Sequence, residues 1–402
     1  MATNEMASDA NVMVLTASVG PGHNSAARAI AEAYRRAGGG EIEYVDVLDF
    51  TSRAFRAFYA RGYAFGVSYL PKLYGVGYWL ADRPQRVGLG AVERGYVWAT
   101  RTVLRRLRTY LRARRPRVIV NTHFLAPPLV AWMRRHGELD CQEIVVVTDN
   151  VIHRSWHCLD VDRWFVPNPQ CASVLHRWGM PGSAVTCSGI PVHPKWLDPM
   201  DAATVLAQWR LPADRKIVLL SAGADFTCGP VVKIARGIVE SRPEACVVVL
   251  AGRSKELAAA VAGMGYPDHR VRPVSFTDKL HELAGVAAVM VTKPGGITTA
   301  ECLAKALPMV LIKPVPGQEA GNARVLTEGG AAVTARNAAD TVACVGRLLG
   351  DEALRAGMAG RCRAMYLPAA QTIAGAVAEL LSAPCETLYG TPDPGRYSQR
   401  RP

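Results

Sequence analysis

The sequence predicts an α/β protein built as two doubly wound, parallel-sheet domains facing a cleft. Three observations carry this. Short apolar runs alternate with helix-like periodicity from residue 12 onward, the pattern of strands buried on both faces. A proline-rich break near residues 189–212 is followed by a fresh start of the same pattern, and each series opens on a strand that runs into a glycine loop.

In chain order, residues 12–15 form a strand, a glycine turn follows, and residues 25–37 read as a helix closed by Gly38-Gly39-Gly40, with a second strand at 42–47. Further strands are predicted at 118–121, 144–148, 164–166 and 184–187. After the break, 217–220, 247–250, 271–274 and 286–291 are strands and 231–240 a helix. The boundary is set at 195–196, giving an N-terminal domain over 1–195 and a C-terminal domain over 196–381. The helical stretch 369–381 is expected to cross back onto the first domain. The tail 382–402, rich in Pro, Gly and Arg, is expected to be disordered.

With 402 residues, half of them apolar, the chain can bury two sizeable cores. No run of eighteen or more uncharged apolar residues occurs, so no membrane-spanning helix is expected. Residues 1–11 contain Glu5 and Asp9 and no basic start, so a secretory leader is not expected and the chain is placed in the cytoplasm. The ten cysteines are scattered singly, as reduced thiols are. His153 and His157 would share a helix face, but no third ligand lies nearby and no metal site is expected.

The net charge of +13 is uneven. Eight arginines fall between Arg101 and Arg117, and the stretch 55–79 mixes Arg56, Arg61 and Lys72 with many aromatic residues. Rings at a lipid interface with cations meeting phosphate suit an anionic membrane surface. The plainer reading is aromatic helix cores beneath a solvated arginine face. Nucleic acid would also be attracted, but no nucleic-acid-binding module is present, so it is not expected as a partner.

Two glycine loops carry the chemistry. In the first, Gly20-Pro21-Gly22 precedes His23 at a strand-to-helix turn, where an imidazole faces the cleft with a pKa near neutrality; a capping or packing histidine is the alternative. The loop is not a dinucleotide fingerprint, because no third glycine follows. In the second, the run 286–291 feeds Gly295-Gly296 and a helix whose first turn carries Thr298 and Thr299 and then Glu301. That arrangement presents backbone N–H groups to a phosphate and reads as the grip on a nucleotide diphosphate.

GPGHNSAARAI at 20–30, NTHF at 121–124, VVVTDNVIHRSW at 145–156, WFVPN at 164–168, SGIPVHPKW at 188–196, KPGGITTAE at 293–301 and PGQEAGN at 316–322 follow in order. Together they resemble the monogalactosyl- and glucosyl-diacylglycerol synthases, GT-B glycosyltransferases related to the peptidoglycan lipid I N-acetylglucosaminyltransferase. The resemblance implies two Rossmann-like lobes, a UDP-sugar donor (UDP-glucose or UDP-galactose), no metal or other cofactor, and inverting transfer of a hexose to diacylglycerol at the inner face of the cell membrane. The alternative is a UDP-N-acetylglucosamine or other hexosyl transferase acting on a different lipid.

It further implies that Gly295, Gly296 and Thr298 sit by the diphosphate and that Glu301 bonds the ribose diol. Gln318 and Glu319 would read hexose hydroxyls, with Asn322 supporting their loop. Phe276 and Thr277 would hold uracil, largely through backbone groups, and Ser221 and Gly223 would face the phosphates. His23 or Asp149 would take the acceptor proton, or Asp149 would orient His23. Gly22, His123 and Trp156 would line the acceptor groove, although His123 and Trp156 suit packing equally. Pro21 and Asn150-Val151-Ile152 depart from the family pattern, which leaves the acceptor open.

Overall fold

The computed structural model describes residues 11–59, 75, 89–221, 230–312 and 314–382. Strands β1 (Val12–Thr16), β2 (Ile42–Asp46), β3 (Val118–Asn121), β4 (Gln142–Val146), β5 (Arg163–Val166) and β6 (Val185–Cys187) form one parallel sheet in the order β2-β1-β3-β4-β5-β6. Strands β7 (Lys216–Ser221), β8 (Ala245–Gly252), β9 (Val271–Ser275), β10 (Ala287–Thr292), β11 (Met309–Ile312) and β12 (Ala332–Ala335) form the second, also parallel, in the order β12-β11-β10-β7-β8-β9. Every strand expected from the sequence is present with ends shifted by a residue or two. In each sheet the winding reverses beside the first strand, and ligands of such folds bind at that reversal, off the carboxyl ends.

The first sheet is flanked by α1 (Pro21–Arg36), α2 (Leu89–Val103), α3 (Arg105–Arg114), α4 (Pro127–Arg135) and α5 (Pro169–Arg177). The second carries α6 (Ala202–Gln208), α7 (Val231–Ser241), α8 (Lys255–Ala262), α9 (Leu280–Val286), α10 (Gly296–Ala304), α11 (Gln318–Glu328), α12 (Ala338–Gly350) and α13 (Glu352–Met365). Burial explains the strands: Val12, Val14, Val118, Val120, Ile144 and Val146 point to one core of the first sheet, and Met13, Leu15 and Ile119 to the other.

The last helix, α14 (Ala369–Ser382), returns to the first sheet as expected. Ala370, Ile373, Ala374 and Val377 share a core with Ile30, Ala33 and Tyr34 of α1, so α14 belongs by packing to the first lobe and not to the elements it follows. By length and composition alone, residues 352–382 are apolar enough to cross a membrane, and a third of that apolar window is buried in the fold. The tail beyond Ser382 lies outside the described residues, as does most of the aromatic stretch 55–79.

Two expectations change. His153 and His157 do not share a helix face: His153 Nδ1 accepts from Ser155 N at 3.1 Å and caps a single 3-10 turn, Arg154–Trp156, so the four-residue helical repeat never forms. Among the described residues no group of three metal-ligating side chains gathers. The arginine cluster is also partly tied down. Arg108 pairs with Glu138, Arg114 donates to Glu43 at 2.6 Å, and the Arg101 guanidinium lies 3.7 Å from the centre of the Trp132 ring. Arg105, Arg106, Arg112 and Arg115 remain exposed.

Candidate active site

The helix starts α1 and α10 meet across the cleft. Gly20, at φ 109°, turns β1 into α1 in a backbone region that a side chain would strain, and Pro21 supplies a first helical residue that needs no hydrogen-bond acceptor. At α10 a β-carbon on Gly296 would stand 2.1 Å from the Thr148 carbonyl oxygen and 3.0 Å from Asp149 Oδ1. Only glycine lets the second lobe approach the end of β4 this closely. Gly22 faces Ile297 with room for an ordinary contact.

His23 sits in the first turn of α1. Its Nδ1 is 2.8 Å from the Thr122 carbonyl, which can only accept, so Nδ1 carries the proton and the neutral ring keeps its lone pair on Nε2. Thr148 Oγ1 lies 3.0 Å from the same nitrogen. Burial lowers the imidazole pKa below its usual range, while the Asp149 carboxylate and the Thr122 carbonyl pull it partly back up. Burial thus favours the neutral ring, and the main-chain contact sets its tautomer.

His123 packs edge-on against His23, centroids 4.6 Å apart, and stacks on Phe124. Its Nδ1 accepts from Leu125 N at 3.1 Å, so the proton resides on Nε2, and burial beside His23 keeps the ring neutral. Trp156 is only 5% exposed and is packed with Val145, Ile152 and Trp164. Phe124 meets its ring edge-on, with centroids 5.7 Å apart.

Asp149 is 7% exposed and is held from the opposite lobe. Gln318 Nε2 donates to Oδ2 and Asn322 Nδ2 to Oδ1 at 3.2 Å. Fully buried Asn322 also donates to the Pro294 carbonyl at 2.9 Å and accepts from Asn150 N at 2.8 Å. One side chain thus joins the end of β4, the loop before α10 and the first turn of α11. Glu319 Oε2 accepts from Val315 N at 2.9 Å, bracing the loop that leads into α11.

On α10, Gly295 has open space where a β-carbon would be, and no hydrogen bond involves the Thr298 hydroxyl among the described residues. Glu301, one turn on, has no hydrogen-bond partner among the described residues. Burial raises its carboxyl pKa to about 8, opposed by Lys195. The Phe276 N–H is committed to the Gly252 carbonyl at 2.7 Å, leaving its carbonyl and a ring 66% exposed that lies under the Arg253 guanidinium. Thr277 Oγ1 accepts from Lys279 N. Ser221 ends β7 at the winding reversal, and Gly223 lies outside the described residues.

A family model described as monogalactosyldiacylglycerol (MGDG) synthase matches residues 23–192, from the base candidate through β6 into the hinge. Over these residues the chain is similar to the MGDG synthase family. A processive diacylglycerol beta-glucosyltransferase of Bacillus cereus is 28% identical over 371 residues, covering 90% of this chain and 92% of that one. The same-named protein of Bacillus thuringiensis is 27% identical over the same length. Among solved structures, the Staphylococcus aureus MnaA complex with UDP aligns with a TM-score of 0.59 at 14% identity, covering 92% of this chain and 96% of that one. Acinetobacter baumannii MurG aligns at 0.56 and 14%, covering 92% and 99%. These fix the fold as GT-B.

Lys195 is a neighbour of Glu301 that sequence reasoning missed. Its Nζ donates to the Asp278 carbonyl at 2.6 Å and its charge bears on Glu301. The only hint in the chain was its place just after the hinge prolines.

Proposed function

We propose that this chain moves a hexose, glucose or galactose, from a UDP-sugar to the hydroxyl of diacylglycerol, making glycolipid with inversion at the anomeric carbon. The observation that carries this reading is the meeting of the α1 and α10 N-termini around His23 and Asp149. One helix start is suited to a diphosphate, and the other presents a neutral base.

In this reading the diphosphate lies against Gly295, Gly296 and Thr298. The helix N-terminus neutralises the charge that develops on departing UDP, and no metal is required. Glu301 receives the ribose diol, a role that suits a carboxylate lacking protein partners. Phe276 and Thr277 border the base, and Ser221 faces the phosphates. Gln318 and Glu319 read the hexose. His23 Nε2 takes the proton of the acceptor hydroxyl, and Asp149 steadies the imidazolium that results. His123 backs His23, and Gly22 borders the acceptor.

The acceptor lives in a bilayer, and the first lobe carries the surface to reach it. Trp98 on α2 is 66% exposed and Phe58 76%, with exposed arginines on the adjoining α3. Rings of this kind enter the headgroup boundary while guanidinium groups meet lipid phosphate, so the protein works peripherally at the inner, cytoplasmic face of the cell membrane. Mass spectrometry of lipids from a host expressing the chain tests the function. A new hexosyl-diacylglycerol supports it, and an unchanged lipid profile despite soluble expression contradicts it.

A further inference from the structure

Behind the active site, on the hinge side of the lobes, lies a second cavity of about 360 Å³, within the roughly 300–1,000 Å³ of small-molecule sites. Its walls come from both lobes: Asn150 and the start of α5 on one side, α10, the end of α11 and the turn before α14 on the other. Two segments singled out in the sequence, 164–168 and 188–196, supply part of the lining and have no role in the reaction described above.

Asn150 is the informative group. It is 8% exposed, its N–H is held by Asn322 and its carbonyl accepts from Asn168. Asn150 lines the cavity, and its hydrogen bonds among the described residues are made by its backbone groups, not by its side-chain amide. An amide that borders a cavity without a side-chain partner is open to an occupant able to bond it. Across from it stand the half-buried Tyr366, whose hydroxyl has no partner among the described residues, and at the mouth the Glu328 carboxylate. Ile190, Ala300 and Leu303 supply apolar wall.

We propose that this cavity is a second ligand site, for a neutral hydroxylated molecule of saccharide size, held by the Asn150 amide, the Tyr366 hydroxyl and the Glu328 carboxylate. The polar groups can both give and accept hydrogen bonds, as sugar hydroxyls require, and the apolar wall suits a sugar's C–H face. No lysine or arginine lines the cavity and one carboxylate does, which disfavours phosphorylated ligands and separates this site from the diphosphate grip. An occupant would touch both lobes next to the Asn322 bridge and brace them together.

The test uses the full chain, with and without UDP, and methyl β-glucoside and maltose as probes, followed by saturation-transfer NMR and titration. One or both probes are expected to bind whether or not UDP is present. Glu328→Ala and Asn150→Ala should each weaken that binding by about tenfold, and glucose 6-phosphate should bind at least as much more weakly than methyl β-glucoside. The surface position of Glu328 keeps its variant informative if Asn150→Ala fails to fold. Absence of binding by both probes, displacement by UDP, binding unchanged in Glu328→Ala, or equal binding of the phosphorylated sugar would each overturn the proposal.

Discussion

Replacing Glu301 by Gln should strengthen the fold while it weakens the donor grip. In the folded protein this carboxyl keeps its proton up to about 8, against 4.5 for an ordinary glutamate. A carboxyl raised in this way contributes its full stability below the unfolded value and loses it as pH climbs through the folded one. At pH 7 the ionisable side chain therefore weighs against folding by at most about 3 kcal/mol, and partial contact with solvent brings this to about 1–3 kcal/mol. Glutamine occupies the same space without titrating, so Glu301→Gln should melt several degrees higher near pH 8 and level with the parent near pH 4.5.

For the donor the sign reverses. A ribose diol bonded by a carboxylate gains roughly 1.5–3 kcal/mol over a neutral partner, so UDP affinity should fall about 10- to 100-fold in the amide variant. Parent binding at pH 7 should also release a proton, visible as a buffer-dependent heat in calorimetry, and the variant should release none. Paired melting curves and titrations at both ends of the pH range make the measurement. Unchanged UDP affinity, or a stability gain independent of pH, would show that Glu301 is an ordinary helix carboxylate.

Three more outcomes follow from the same geometry. Asp149→Asn removes the charge that raises the His23 pKa, so the acid limb of the kcat/KM profile should move to lower pH as the rate drops; a limb that stays in place makes His23 a bystander. Gly296→Ala puts a methyl group 2.1 Å from the Thr148 carbonyl oxygen and must part the lobes, so turnover should fall about 100-fold; intact turnover would mean that the contact is dispensable. Replacing Trp98 and Phe58 together by Ala should cut sedimentation with anionic vesicles by at least about tenfold and leave the melting temperature unmoved; undiminished sedimentation would place the membrane face elsewhere.

The sheets were legible because their strands are buried on both sides and read as continuous apolar runs, and the glycine loops because close approach leaves few residue choices. His23 could be placed at a helix start from spacing alone. What spacing could not show is partnership between distant residues. Asp149 is held by Gln318 and Asn322 from the other lobe, and nothing local in either segment signals the other. Gly296 read as room for a phosphate, and it is equally room for the Thr148 carbonyl. His153 and His157 misled because a four-residue interval implies a shared face only inside an α-helix, and a side-chain cap at His153 favours a single tight turn. The arginine run looked like one charged face, yet Glu43, Glu138 and Trp132 claim part of it through contacts that form only in the folded lobe.

The most direct measurement supplies purified protein with UDP-glucose or UDP-galactose and diacylglycerol in mixed micelles and determines the anomeric configuration of the product by NMR. The account predicts a β-linked hexosyl-diacylglycerol from at least one donor, formed without added metal. Absence of glycolipid with every donor, or a product that keeps the α configuration, would contradict it.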